Sequence, residues 1–125
     1  MIVTKNEDTT YFDVDGTLVL PSDAKHGQLI KVLDPVTGRH VLQRIHAPMV
    51  RLLKEADRRG SHVVVWSRGG WEWARNVVIA LGLESYVDEV KCKPLVYFDD
   101  VSVDKWLPYR VFLDPSVNYK KDIKP

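Results

Sequence analysis

The chain has 125 residues, 45% hydrophobic and 28% charged, the composition of one globular domain with a real apolar core. Eighteen basic against seventeen acidic residues leave a net charge of +1, so charge neither demands a nucleic-acid partner nor excludes one held by a local patch. The lone Cys92 excludes an internal disulfide, and no run of residues reads as a signal or a bilayer span, so the expectation is a soluble, cytoplasmic protein with no membrane partner.

In chain order, short apolar runs rich in β-branched and aromatic residues alternate with stretches of helical periodicity. The expected class is α/β, a Rossmann-like parallel sheet of about five strands flanked by helices. Strands are predicted at 10–14, 62–66, 87–91, 95–98 and 110–113. A first helix starts at Pro48, carries Val50, Leu53 and Ala56 at helical spacing, and ends at Gly60. A second runs over 71–81 and stops at Gly82, with Ala74, Val77, Val78 and Leu81 as its core stripe. Between the first strand and the first helix, apolar runs at 29–33 and 41–45 bracket the turn-forming residues 34–39, which reads as a β-hairpin insert over 28–46. Such a hairpin is either a flap beside a ligand or a plain surface extension of the sheet. The domain core spans 9–115, and the ends, 1–8 and 118–125, look poorly tied down.

The most informative segment is Asp13-Val14-Asp15-Gly16-Thr17, which leaves the first strand. Alternate side chains of an extended chain share a face, so Asp13 and Asp15 address the same space, and Gly16 lets the backbone leave the sheet. An EF-hand is excluded, because its Gly would come later and the twelfth position from Asp13 is Ala24 where Glu is required. Further polar residues follow later strands, at the edge where open α/β sheets bind ligands. Ser67 leads through Arg68-Gly69-Gly70 into the second helix, a segment suited to a phosphate oxygen or simply to capping and turning. Lys91 and Lys93 flank Cys92, and Asp99-Asp100 ends the fourth predicted strand, with Asp104 beyond. Clustered carboxylates repel unless a hard cation lies between them, which suggests Mg²⁺.

Taken in order, Asp-x-Asp-Gly-Thr, a strand-terminal Ser, Lys-Pro and Asp-Asp resemble the four motifs of the haloacid dehalogenase (HAD)-like superfamily. The resemblance covers roughly residues 9 to 115. It implies an Mg²⁺-dependent phosphate-monoester hydrolase working through an aspartyl-phosphate, with Asp13 as nucleophile and Asp15 as acid/base. Ser67, Arg68 and Lys93 would bind phosphate, and Asp13, Asp15, Asp99 and Asp100 would hold the metal. Two departures stand out: the helix usual between the Lys motif and the acidic pair is missing, and no segment is long enough for a large cap domain. The first departure leaves the choice between Lys93 and Lys91 open. Receiver domains do not fit, because their acidic pair lies on the first strand and their Lys comes near the end.

A weaker similarity links the motifs to the 3′-phosphatase domain of polynucleotide kinase-phosphatases. It makes a phosphorylated nucleic-acid end one candidate substrate, with Arg39, Arg44, Arg51, Arg58, Arg59 and Arg68 as phosphate contacts and Trp71 and Trp73 as stacking groups. Small sugar or nucleotide phosphates are the alternative, and a phosphate-binding module without turnover is the rival of another class. Oligomeric state is left open.

Overall fold

The computed structural model describes residues 8–114 together with Val117 and Tyr119. The expectations for the two ends fall almost wholly outside these residues. Asp8 and Tyr119 are the exceptions and both have partners: the Asp8 carbonyl accepts the His62 N–H at 2.9 Å and the Ser61 hydroxyl at 3.2 Å, and the Tyr119 hydroxyl accepts the Asp114 N–H at 3.1 Å.

Two small sheets share the fold. Strands β1 (Thr9–Asp13), β5 (His62–Ser67) and β6 (Glu89–Cys92) form a parallel sheet in the order β1-β5-β6. Strands β2 (Val19–Pro21), β3 (Leu29–Leu33) and β4 (His40–Ile45) form an antiparallel sheet in the order β2-β4-β3. The central place of β5 explains its unbroken Val63-Val64-Val65: a strand flanked on both sides and buried on both faces has no use for alternation. The predicted hairpin is β3 and β4, and the short β2, which has too few residues to give a periodic signal, completes that sheet.

Helix α1 (Ala47–Arg58) links the antiparallel sheet to β5, and α2 (Trp71–Ala80) links β5 to β6. Helix α1 carries Pro48 in its first turn and buries Pro48, Met49, Leu53 and Ala56. Met49 thus takes the buried place expected of Val50, which is only partly covered. Helix α2 buries Ala74, Val77 and Val78, while Leu81 packs at the margin of the core. Asn76, also buried, donates to the Leu33 carbonyl at 2.8 Å and so fastens the end of β3 to α2. The core gathers Phe12, Val14, Leu18, Leu53, Val63, Val65 and Val77 between sheet and helices. A 3₁₀ turn, Glu84–Tyr86, precedes β6.

The sheet does not reach five parallel strands. The segments 95–98 and 110–113 are unpaired, with Phe98 94% and Phe112 86% exposed. Parallel neighbours need a crossover of roughly a dozen residues to return the chain to the starting edge. Only Lys93 and Pro94 separate β6 from the apolar run at 95–98, too few for that return. In this segment a single helical turn, α3 (Val103–Trp106), forms, with Trp106 edge-on to Tyr97 at 6.2 Å, and Leu113 reaches back to the core.

His46, 2% exposed, joins the loop after β1 to the start of α1. Its Nδ1–H donates to the Thr17 carbonyl at 2.7 Å, and its backbone N–H donates to Leu18. Burial lowers its pKa from the ordinary 6.5, the Thr17 bond opposes this, and neighbouring His26 adds to the lowering. The folded protein therefore takes up this proton less readily than the unfolded chain. Stability should be full above about pH 6.5 and should fall as pH drops toward the depressed folded-state value. His46→Asn, which keeps a short donor and cannot charge, should show a shallower loss of Tm between about pH 7.5 and about pH 5.5. Parallel Tm curves for the two proteins would remove His46 as the cause.

Candidate functional site

Three neighbouring strands end at one edge, and each end carries a polar group. Because β1, β5 and β6 are parallel and in register, Asp13 lies opposite Trp66 and Ser67 lies opposite Cys92. Lys93 follows at once, and its N–H donates to the Ser67 carbonyl at 2.9 Å, prolonging the sheet by one bond. That bond sets the side chain over β1: Lys93 Nζ lies 3.9 Å from Asp13 Oδ1. At this distance the two form an ion pair without a direct hydrogen bond. Lys91, two residues earlier, is engaged with Glu89 at 3.8 Å. The structure thus brings Lys93, not Lys91, to Asp13.

Beyond Asp13 the chain coils around one carbonyl. The Val14 oxygen accepts the N–H groups of Thr17, Leu18 and Val19, while Gly16, at φ 77°, donates to Val19. A positive φ at this point suits glycine, as the motif requires. The coil holds Asp15 near Asp13 and under α2, where Trp73 Nε1–H donates to Asp15 Oδ1 at 3.2 Å. Asp15 as a whole residue is exposed, but its carboxyl is sheltered by these neighbours. Loss of solvation raises its pKa, the Trp73 bond pulls it down, and the Asp13 charge raises it further. A carboxyl whose pKa is raised is suited to proton transfer beside a second carboxyl that can act as a nucleophile.

Ser67 is 1% exposed and its Oγ accepts the Gly69 N–H at 3.0 Å. It is not the helix cap, a place taken by Gly70 at φ 104°. Its hydroxyl proton is left to donate elsewhere. Gly69 is exposed, but a Cβ there would stand 3.2 Å from Trp73 Cδ1 and 3.3 Å from Ser67 Oγ. Arg68 is exposed on the same turn.

Asp99 and Asp100 do not join this group. Asp99 Oδ1 caps the Val101 N–H at 3.0 Å in the exposed segment, and Asp104 is held below the usual carboxylate range by Ser102 and by its own backbone N–H. Without a fourth strand to return them to the sheet edge, the expected four-carboxylate set is not assembled. No cluster of three or more potential ligands capable of holding a metal occurs among the described residues. What remains, Asp13 and Asp15, still fits Mg²⁺, which takes one or two carboxylates and completes its shell with water and substrate oxygens.

Two of the six arginines named as phosphate contacts, Arg44 and Arg58, are engaged elsewhere. Arg44 donates to the Ser22 and Gly27 carbonyls, Arg58 lies near the Tyr86 ring, and Arg75 covers Trp71 at 5.1 Å. Trp73 was expected either as a stacking group or as core or rim packing, and its bond to Asp15 spans 58 positions that no local pattern signals. No helix among the described residues is long and apolar enough to cross a membrane. Comparisons with protein-family models, with curated proteins and with solved structures gave no match.

Proposed function

We propose that this protein is a phosphate-monoester hydrolase of the HAD-like kind, its parallel sheet the Rossmann-like core of that fold. The observation that carries the reading is the delivery of Asp13, Ser67 and Lys93 to one edge by three adjacent strands, with Asp15 on the coil that follows.

The chemistry follows from charge. Asp13, beside Lys93, is placed to attack phosphorus and form an aspartyl-phosphate. Lys93 and the Ser67 hydroxyl are suited to take the phosphoryl oxygens, where negative charge accumulates. Asp15, its pKa raised, can protonate the departing oxygen and then take a proton from the water that cleaves the acyl phosphate. Asp13 and the Asp15 backbone carbonyl would hold Mg²⁺, which offsets the repulsion between carboxylate and phosphate dianion. An exposed free Cys92 accords with a reducing, cytoplasmic setting.

The test is phosphate release from phenyl phosphate with Mg²⁺ and after chelation, in wild type, Lys93→Ala and Lys91→Ala. Release should require the metal, fall on the order of a hundredfold in Lys93→Ala, and change less than about threefold in Lys91→Ala. Equal losses in the two lysine variants would undo the assignment of Lys93. Phosphate binding without release under any condition would reassign the chain to a binding module.

A further inference from the structure

We infer that the leaving-group side of this site is a slot for a small flat ring, so that the substrate class is an aryl or heteroaryl phosphate monoester rather than a nucleic-acid end. The inference rests on the phosphatase reading for its chemistry and on a separate set of residues for its selectivity.

Two adjoining cavities, of about 270 and 280 Å³, lie between the β3–β4 turn and the first turn of α2. Both are lined by Pro35, Val36 and Gly69, one continues to Trp71, and the other runs past Trp73 to Asp15. The slot therefore opens onto the carboxyl assigned to the departing oxygen. Its size lies at the small end for organic ligands. Its walls are a proline ring, an aliphatic side chain and two indoles, with glycine backbone between them. Gly69 matters here, because a side chain would press on Trp73 and narrow the passage.

Charge argues against a polymer. Among the described residues, the lining includes Asp15, Asp34 and Glu72 and no lysine, arginine or histidine. A nucleic-acid strand would carry further phosphates past these acids, whereas a neutral or cationic ring meets no such repulsion. Asp34 is partly spent on the turn, accepting from the Val36 N–H at 2.9 Å and the Thr37 hydroxyl at 3.2 Å, so it stiffens one wall. The Asn76–Leu33 bond fixes that wall to α2, which bears the other. Val36, 87% exposed at the turn, has no core to fill, and Trp71, 45% exposed with Arg75 over its ring, is among the lining residues.

The experiment is binding of non-hydrolysable phosphonates to the full chain by calorimetry, alongside phosphate release from esters. Phenylphosphonate should bind at least about tenfold more tightly than methylphosphonate, the gain coming from burial of the ring. Val36→Ser, at an exposed position that cannot compromise folding, and Trp71→Ala should both shrink that ratio below about threefold. A 3′-phosphorylated oligonucleotide should bind more weakly than phenylphosphonate. Equal binding of the two phosphonates, an unchanged ratio in both variants, or tighter binding of the oligonucleotide would overturn the slot and leave the hydrolase reading standing. A retained phenyl preference with no ester hydrolysed would support the slot and overturn the hydrolase.

Discussion

Asp13→Asn is expected to abolish phosphate release, with kcat falling on the order of 10⁴-fold or more, while the fold and phosphate binding survive. The amide keeps the size of the carboxylate at the end of β1 but has no charge with which to attack phosphorus. It also leaves Lys93 without its ion-pair partner 3.9 Å away, so phosphate affinity should hold or rise. The same change removes the Asp13 contribution that raises the Asp15 pKa, and Asp15 should titrate lower in the variant. Mass spectrometry of acid-quenched turnover mixtures gives the direct check: wild type should carry a phosphoryl group on the peptide containing Asp13, and the variant none. Turnover near the wild-type rate in a folded Asp13→Asn protein would end the nucleophile assignment.

The largest single loss of stability is expected at Gly27→Ala, far from any chemistry. Gly27 sits at φ 95°, and a Cβ there would stand 2.4 Å from the Ile45 carbonyl oxygen. Neither the backbone conformation nor the close approach tolerates a methyl, and the atom in the way is backbone that cannot rotate aside. The combined cost is on the order of 3 kcal/mol, a fall in Tm of roughly 10 °C for a domain of this size. Gly38→Ala separates the two causes, since Gly38 also has a positive φ of 70° but nothing within 4 Å of its Cβ position. It should lose only about 1 kcal/mol. Equal losses by thermal denaturation would show that the approach to Ile45 contributes nothing.

The placement of much of the candidate site was legible because its residues are spaced by local geometry. Asp13 and Asp15 share a strand end, Gly16 marks the exit, and Ser67 ends an apolar run too continuous to be anything but a central strand. The hairpin was equally plain from its turn residues. Lys91 and Lys93 could not be told apart, because both have the same parity along the strand. What decides between them is where β6 ends and where Glu89 lies, and only the fold supplies that. The fourth and fifth strands failed for a related reason. Leu95-Val96-Tyr97-Phe98 has the composition of a strand, yet composition says nothing about whether a pairing edge can be reached through Lys93 and Pro94. Asp99 and Asp100 were misplaced with it. The Trp73–Asp15 and Asn76–Leu33 bonds join positions distant in the chain and leave no periodic trace.

The β3–β4 turn closes on itself: Asp34 N–H donates to the Arg39 carbonyl, Gly38 N–H to the Asp34 carbonyl, and the Asp34 side chain holds Val36 and Thr37. No group in that circuit belongs to the edge that carries Asp13, Ser67 and Lys93, which is built from strand ends on the other sheet. On the proposed reading, the residues that would select a ring and those that would act on phosphate therefore lie in separately editable stretches of chain. Residues 35 and 36 can be exchanged for bulkier, smaller or charged ones with Asp34, Thr37, Gly38 and Arg39 retained as the frame, and Asp13 has no reason to respond. A library confined to those two positions is thus a route by which this small scaffold can be retargeted, in the laboratory or by descent, without first being destabilised.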